Sequence, residues 1–562
     1  MNSEQPVDSA SGLIKVGWFG VFLVIALSIY SAFVQRPAIA SDVGTYLLAT
    51  ATSNAQNPVT LTSVDPQNLS EDRNSPITWW PESYSAIPAF VDHSANDLGV
   101  QLDGGQAIQW TTLLGWVIGT LLWYWFFKLV CQPNHLPWIV LIFLTARYSH
   151  ANFYLYDGGE FFYWALFPAV LLLNYKAITH DQQSSYSAHL ASLAGIATPM
   201  LVLLKYSAGL STIGFGLSWL WMVSNKQVSK WSFLNWCVSV ATISGFIFWL
   251  NLIPAGNPTQ IDSPMQWTPI LWITGAWLFA MTDLGTLLNK FTVDVLPAMG
   301  EHYDGSEGWL FAPAVVILWW LIKTQQDSQE PLLQRLHRLP AVNKLLIGHA
   351  LGFSLALALL LIRGSAIHLD TRFLRPAAIA IMPMLLVTLW NRFSTTQDSK
   401  RKWLTGLALL GLTVVPCSYG LLALSHKTFV RSQYATALTD GNGLRHDVLS
   451  PTGDAKAFFQ FLNESTTTDD VIYIIEPTMG IPLNRRRLFS EEHAHLRTKK
   501  DLSKRVFRGS PKGQLYLPLP RALKEDGRAA AIQNSFIDIN SWQEESLASQ
   551  PDWVLLIGHQ TD

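Results

Sequence analysis

Asp42 stands in the segment PAIASDVGTYLLA (residues 37–49), directly after a hydrophobic run from Leu13 to Phe33 that is long enough to cross a membrane. A carboxylate where a chain leaves lipid has three readings: part of a signal-peptidase site next to Ala38-Ile39-Ala40, an ordinary solvated acid, or a group held at the membrane surface for proton transfer. Cleavage fits poorly, because the apolar run exceeds a typical signal-peptide core and Arg36 and Pro37 separate it from the A-x-A site. Asp157 and Glu160, in YDGGEFFYWALF, lie at the mouth of another apolar run. If Gly158 leaves the helix unbroken, their i, i+3 spacing sets both on one face; the plain alternative is a helix start where the dipole favours acids. Arg372 and Arg375, in LDTRFLRPA, are also three apart and open an apolar run, and forked guanidinium groups suit a phosphate, whether of one ligand or of lipid headgroups in general. Lys205 ends a further apolar run, where a lysine can simply snorkel. Trp79, Trp80 and Tyr84, in SPITWWPESYSAIP, have the amphipathic rings of an interface or of a sugar-stacking surface.

The elements that must position these residues are transmembrane helices. Of 562 residues, 49% are hydrophobic and only 14% charged, with 24 Trp and 28 Phe, which excludes an ordinary soluble enzyme. The net charge of −2 averages a lipid-embedded part with a polar tail, and no basic run points to nucleic acid. Three cysteines, all in or beside apolar segments, offer neither a disulfide framework nor a CxxC metal site. Further apolar stretches run from Ile108 to Val130, Phe161 to Tyr175, Leu190 to Leu204, Ser207 to Val223, Phe233 to Ile253, Trp309 to Ile322, Leu345 to Ile362, Phe373 to Trp390 and Trp403 to Leu424. Placing the basic loops Lys226 to Lys230, Lys323 to Lys344 and Arg392 to Lys402 in the cytoplasm, with the N-terminus, requires that Leu136 to Tyr156 crosses despite Arg147 and His150, and that Trp267 to Leu288 does not.

The expected fold is therefore a polytopic α-helical membrane protein of about eleven transmembrane helices with an extracytoplasmic C-terminus. Residues 1–424 form the transmembrane domain, including a first external loop, 34–106. Residues 425–562 form a small extracytoplasmic α/β domain, with strand-like DVIYIIEP and DWVLLIG and helix-like DAKAFFQFLNE. This topology gathers the acids and bases named above on the non-cytoplasmic face, and it sets Arg372 and Arg375 against the positive-inside bias. EEHAH (Glu491 to His495) has metal-ligand residue types, but without further spacing it reads as a solvated patch, and no metal or other cofactor is expected.

In order and topology the chain resembles the GT-C superfamily of polytopic glycosyltransferases, in particular bacterial relatives of the protein O-mannosyltransferases and of the aminoarabinose transferases that modify lipid A. The family's external-loop acid is matched by SDVGTYL, with Asp42 and Tyr46, and its Trp-Pro-Pro-x-Tyr-Pro-like motif by WWPESYSAIP, with Trp80, Pro81 and Tyr84. Its S-E-P-L-F-like motif is matched by GGEFF, with Glu160, and its R-H-x-R-P-like motif by RFLRP, with Arg372, Arg375 and Pro376. Glu82 replaces the family's second Pro, and Val43 its second loop acid.

The resemblance implies transfer of one sugar from a polyprenyl-phosphate carrier to a protein, glycan or lipid acceptor on the external face of a bacterial inner membrane. In that scheme a carboxylate, Asp42 with Glu160 and Asp157 as the other candidates, removes the acceptor's proton. Arg372, Arg375, Lys205 and Arg147 stabilise the leaving phosphate without a metal. Tyr46, Trp79, Trp80 and Tyr84 contact sugar or acceptor. A transporter is the rival reading, for which inverted halves with broken helices are not seen; a catalytically inactive protein on the same scaffold is the other.

Overall fold

The computed structural model describes residues 7–52, 59–77, 81–180, 185–252, 268–282, 312–322, 337–363, 371–483, 486–491 and 493–559. The chain divides into two compact units. One comprises Met1–Ile29, Leu114–Ala151 and Gly159–Leu424, the other Tyr30–Leu113, Asn152–Gly158 and Ser425–Asp562.

The first unit is helical. Its elements are α1 (Val7–Val34), α4 (Gly104–Val130), α5 (Leu136–Thr145), α6 (Arg147–His150), α7 (Gly159–Thr179), α8 (Ser185–Met200), α9 (Leu210–Ser224), α10 (Lys230–Ile247), α11 (Thr268–Thr282), α12 (Ala312–Ile322), α13 (Ala341–Ile362), α14 (Arg375–Thr395) and α15 (Ser399–Phe429), of which α1, α4 and α15 continue into the second unit. Among the described residues, seven helices are long and apolar enough to cross a membrane: α1, α4, α7, α10, α13, α14 and α15. The chain is an integral membrane protein. With no hydrophobic drive between helices in lipid, close packing rests on small residues. A Cβ on Gly352 of α13 would lie 2.8 Å from the Cα of Gly214 in α9, so only glycine allows that approach.

The run from Leu136 to Tyr156, expected as one crossing, is not one helix. At Thr145 α5 ends; Ala146 is extended, and α6 and a 3-10 turn follow. Ten residues of α-helix span about 15 Å, half a bilayer core. The stretch expected not to cross, Trp267 to Leu288, contains α11, which packs against α13, α14 and the turn Thr371–Phe373, with Trp277 donating to Ser354 Oγ at 3.0 Å.

The second unit is built from three separated stretches of chain. Its C-terminal stretch forms a five-stranded mixed sheet in the order β6-β5-β7-β9-β8, with β5 (Val471–Ile474), β6 (Arg487–Ser490), β7 (Leu515–Pro520), β8 (Ser541–Ser546) and β9 (Trp553–His559). The expected strands DVIYIIEP and DWVLLIG are β5 and β9, both fully buried along nearly their whole length. The expected helix is α16 (Ala455–Ser465): Asp454 Oδ1 caps the backbone N–H of Ala457 at 3.0 Å, and Ala455, Phe458, Phe459 and Leu462 repeat at helical spacing and are buried.

The N-terminal stretch joins this sheet. The hairpin β2 (Thr60–Asp65) and β3 (Asn68–Pro76) lies beside edge strand β6, where Arg487 pairs with Asp72 at 3.0 Å and bonds the Leu69 carbonyl at 3.1 Å. Leu48 of α2 (Ser41–Thr52) enters the same core as Ile474 and Leu488. The third stretch supplies β4 (Leu155–Tyr156), which pairs in parallel with β1 (Ala38–Ile39). Ala38 and Ile39 are thus buried strand residues. Arg445 ties the three stretches by donating to the carbonyls of Arg36 at 2.8 Å and Tyr154 at 3.2 Å.

Candidate functional site

On the helical unit, Glu160 occupies the first turn of α7, where the helix dipole favours an anion. Its carboxylate accepts a hydrogen bond from Lys205 Nζ and lies 3.5 Å from Arg372 Nε. Lys205, extended between two 3-10 turns, is not snorkelling: its side chain is 9% exposed and sits over the Phe373 ring, 4.2 Å from the centroid. Arg372 belongs to the turn Thr371–Phe373, and Arg375 opens α14 with Pro376 in the first turn behind it. Two cations therefore meet one carboxylate at the N-terminal ends of two membrane-length helices, α7 and α14. Arg372 is the member most open to a ligand, with one third of its side chain exposed. One turn along α7, Tyr163 shares a 2.7 Å hydrogen bond with Ser211 at the start of α9 and so braces the helix that carries Glu160. Arg147 lies on α6, where Gly420 of α15 packs against its backbone.

On the second unit, Asp42 and Asp157 are brought onto neighbouring segments. Asp42 is half-buried in the first turn of α2. Gly158 has φ +60°, and a Cβ there would lie 3.1 Å from both Val43 Cγ2 and Tyr84 Cγ, so this position admits glycine alone. That left-handed residue breaks the helix: α7 begins at Gly159, and the shared helical face considered for Asp157 and Glu160 does not form. Tyr46 and Tyr84 are both buried, their ring centroids 5.9 Å apart. Tyr156 OH donates to the Tyr84 carbonyl at 3.0 Å. Burial, with Asp157 beside it, holds this phenol well above its ordinary range, so it acts as a fixed donor. Val43, in place of the family's second acid, is fully buried and serves packing. Trp79 and Trp80 lie outside the described residues.

The EEHAH segment is occupied internally. Glu491 accepts from Tyr473 OH at 2.8 Å and Arg497 at 2.9 Å, with Arg505 at 3.2 Å; His493 and His495 face Glu476 at 2.8 and 3.5 Å. Sequence reasoning missed Phe373 as the ring beneath Lys205; its place beside Arg372, in a motif already singled out, was the only available signal.

These features define a polytopic helical membrane protein carrying a mixed-sheet unit and a cluster of Glu160, Lys205 and Arg372. No protein-family model matches the sequence, and neither does any curated protein. Among solved structures the chain is similar to ArnT from Cupriavidus metallidurans bound to undecaprenyl phosphate, at 12% identity over 96% of this chain and 98% of that one, with a TM-score of 0.49. It is also similar to the archaeal oligosaccharyltransferase AglB from Archaeoglobus fulgidus in complex with an inhibitory peptide and a dolichol-phosphate, at 9% identity over 97% of this chain and 74% of that one, with a TM-score of 0.47. Both neighbours are members of the GT-C superfamily, which the sequence motifs resemble.

Proposed function

We propose that this protein is a membrane glycosyltransferase that moves one sugar from a polyprenyl-phosphate carrier to an envelope acceptor on the extracytoplasmic face of a bacterial inner membrane. The observation that carries the reading is the cluster of Glu160, Lys205 and Arg372 at the start of α7 and α14. Lys205 is shielded from water, and Arg372, one third exposed, can reach a ligand. A phosphate is the anion proposed here, and Arg372 and Arg375 supply the fork geometry for it. As sugar transfer proceeds, negative charge grows on the leaving phosphate, and cations already in place stabilise that charge without reorganisation. In this scheme Glu160 is a positioning residue, too committed to two cations to be the base. The acceptor's proton goes to Asp42, with Asp157 as its neighbour on the second unit, and Tyr46, Tyr84, Trp79 and Trp80 contact sugar or acceptor. Arg147 is assigned a supporting positive charge only.

The proposed arrangement is N-in, C-out with about eleven crossings, its orientation taken from the basic loops. Residues 30–113, 152–158 and 425–562 fold together, so they belong on one side of the membrane. The chain therefore crosses an even number of times between residues 113 and 152, and again between 158 and 425. One crossing by α1, two in the first interval and eight in the second are compatible with this, and with the basic loops taken as cytoplasmic, 425–562 is proposed as an extracytoplasmic domain together with the first loop.

The test is incorporation of labelled sugar from synthetic polyprenyl-phosphate sugars into envelope fractions by the purified, reconstituted protein. Wild type is expected to transfer label and Arg372→Ala to lose transfer. Efflux of free sugar or lipid without covalent transfer would favour a transporter, and absence of both would favour a non-catalytic scaffold.

A further inference from the structure

A groove of about 530 Å³ opens on the helical unit, lined by α1, α5, α14 and α15. Its walls include Leu13, Trp138, Ile142, Trp390, Leu409 and Thr413 and are almost wholly apolar. Leu13 and Trp390 are 60% and 52% exposed, so the groove opens sideways from the bundle. Three of its four helices are of membrane length, so the surrounding solvent is hydrocarbon rather than water. A dry apolar void of this size forfeits dispersion contacts along its lining, which a hydrocarbon chain restores.

One end of the groove is polar. Asn134 and His135 close it at the start of α5, where α1 also begins and α14 ends. Exposed Lys15 on α1 and half-buried Arg392 in the last turn of α14 belong to the same ends of those helices, where basic side chains attract anionic headgroups. Trp138 and Trp390 have the amphipathic rings typical of that depth. The groove is not continuous with the cation cluster along α14. Arg375, Ile379, Met382 and Leu386 share one face of that helix, but Ile379 and Met382 are 0% and 2% exposed, and Tyr148 OH bonds the Met382 sulfur at 3.9 Å. About 16 Å of packed helix therefore separates Arg375 from the groove.

We propose that the groove is a binding site for one acyl chain of an anionic glycerophospholipid, its phosphate at the Asn134 and His135 end, separate from any donor lipid. The site fastens α1, which is otherwise only lightly packed, with 22% of its span buried, to α5, α14 and α15.

The full-length protein, reconstituted in phosphatidylglycerol nanodiscs and transferred to mild detergent, is examined by native mass spectrometry. Wild type and Arg372→Ala are expected to retain one phosphatidylglycerol, and Leu409→Trp and Ile142→Trp, which fill the groove from different helices, to lose it. A phosphatidylglycerol with a diazirine in its acyl chain should label peptides containing Trp138 or Leu409, a readout that needs no variant. Absence of a retained phospholipid in wild type, labelling confined to other peptides, or retention unchanged in folded forms of both filled variants would overturn the proposal. So would one-for-one displacement of the phospholipid by polyprenyl phosphate, which would make the groove the seat of a prenyl tail.

Discussion

Glu160 and Glu491 each face two cations, yet the two clusters are built differently. Glu491 draws Arg497 and Arg505 from the chain just beyond it and is completed by the buried phenol of Tyr473. Its arginines are 29% and 48% exposed, so water screens them, and the carboxylate bonds mainly organise the turn that follows β6. Glu160 instead collects Lys205 and Arg372 from two distant stretches of the helical unit, with Lys205 shielded from water and backed by an aromatic face. A locally assembled, solvent-screened cluster serves the fold. One assembled from afar, at the ends of membrane-length helices, is the cluster proposed to meet a ligand.

Substitutions should therefore separate activity from stability. The largest effect is expected at Asp42, which belongs to neither cluster: Asp42→Asn keeps shape but cannot take a proton, so transfer should fall by about 10²–10⁴-fold while donor affinity survives. Full transfer by this variant in an assay with defined donor and acceptor would return Asp42 to an ordinary loop acid. Glu491→Ala should behave oppositely, leaving Tyr473 OH buried without its acceptor and lowering unfolding stability by about 1–3 kcal/mol while donor affinity is retained. Chemical denaturation of the reconstituted protein checks this, and unchanged stability would erase the contrast between the clusters.

A smaller effect should follow at Phe373. Phe373→Leu removes the ring under Lys205, worth about 0.5–2 kcal/mol for a shielded cation, and titration with polyprenyl phosphate should show weaker binding by a comparable amount. The smallest expected effect lies beside Glu491. Burial first, then His493 and Arg528, lower the His495 pKa below its ordinary 6.5. Below pH 6.5 the unfolded chain thus takes up a proton that the folded one resists, and stability should decline as pH falls through that region. Melting temperatures between pH 5 and 7 should show a shallower acid slope in His495→Gln; an identical slope would mean that His495 does not contribute.

Much of this was legible in sequence for local reasons. Long apolar runs mark α4, α7, α13 and α14, and an Asp cap followed by Ala455, Phe458, Phe459 and Leu462 marks α16. The candidate residues were legible as types: Glu160, Lys205 and Arg372 were each named, but their meeting depends on helix packing that no local pattern encodes. The same holds for the second unit, where residues 38–39 pair with 155–156 and Arg487 reaches back to Asp72. The break after Thr145 had a visible signal in Arg147 and His150, charges that a continuous lipid-facing helix tolerates poorly. Gly158 was visible as a residue, whereas its positive φ follows from the close approach of Val43 and Tyr84.

The most direct measurement is the affinity of the reconstituted protein for polyprenyl phosphate in wild type, Arg372→Ala, Arg372→Lys and Arg497→Ala. Loss of a charged hydrogen bond predicts that Arg372→Ala weakens binding by about 1.5–3 kcal/mol, roughly 10- to 150-fold. Arg372→Lys should keep part of that affinity because charge remains without the fork, and Arg497→Ala should match wild type. Equal affinity in all four proteins would contradict the assignment of the Glu160, Lys205 and Arg372 cluster to a lipid phosphate.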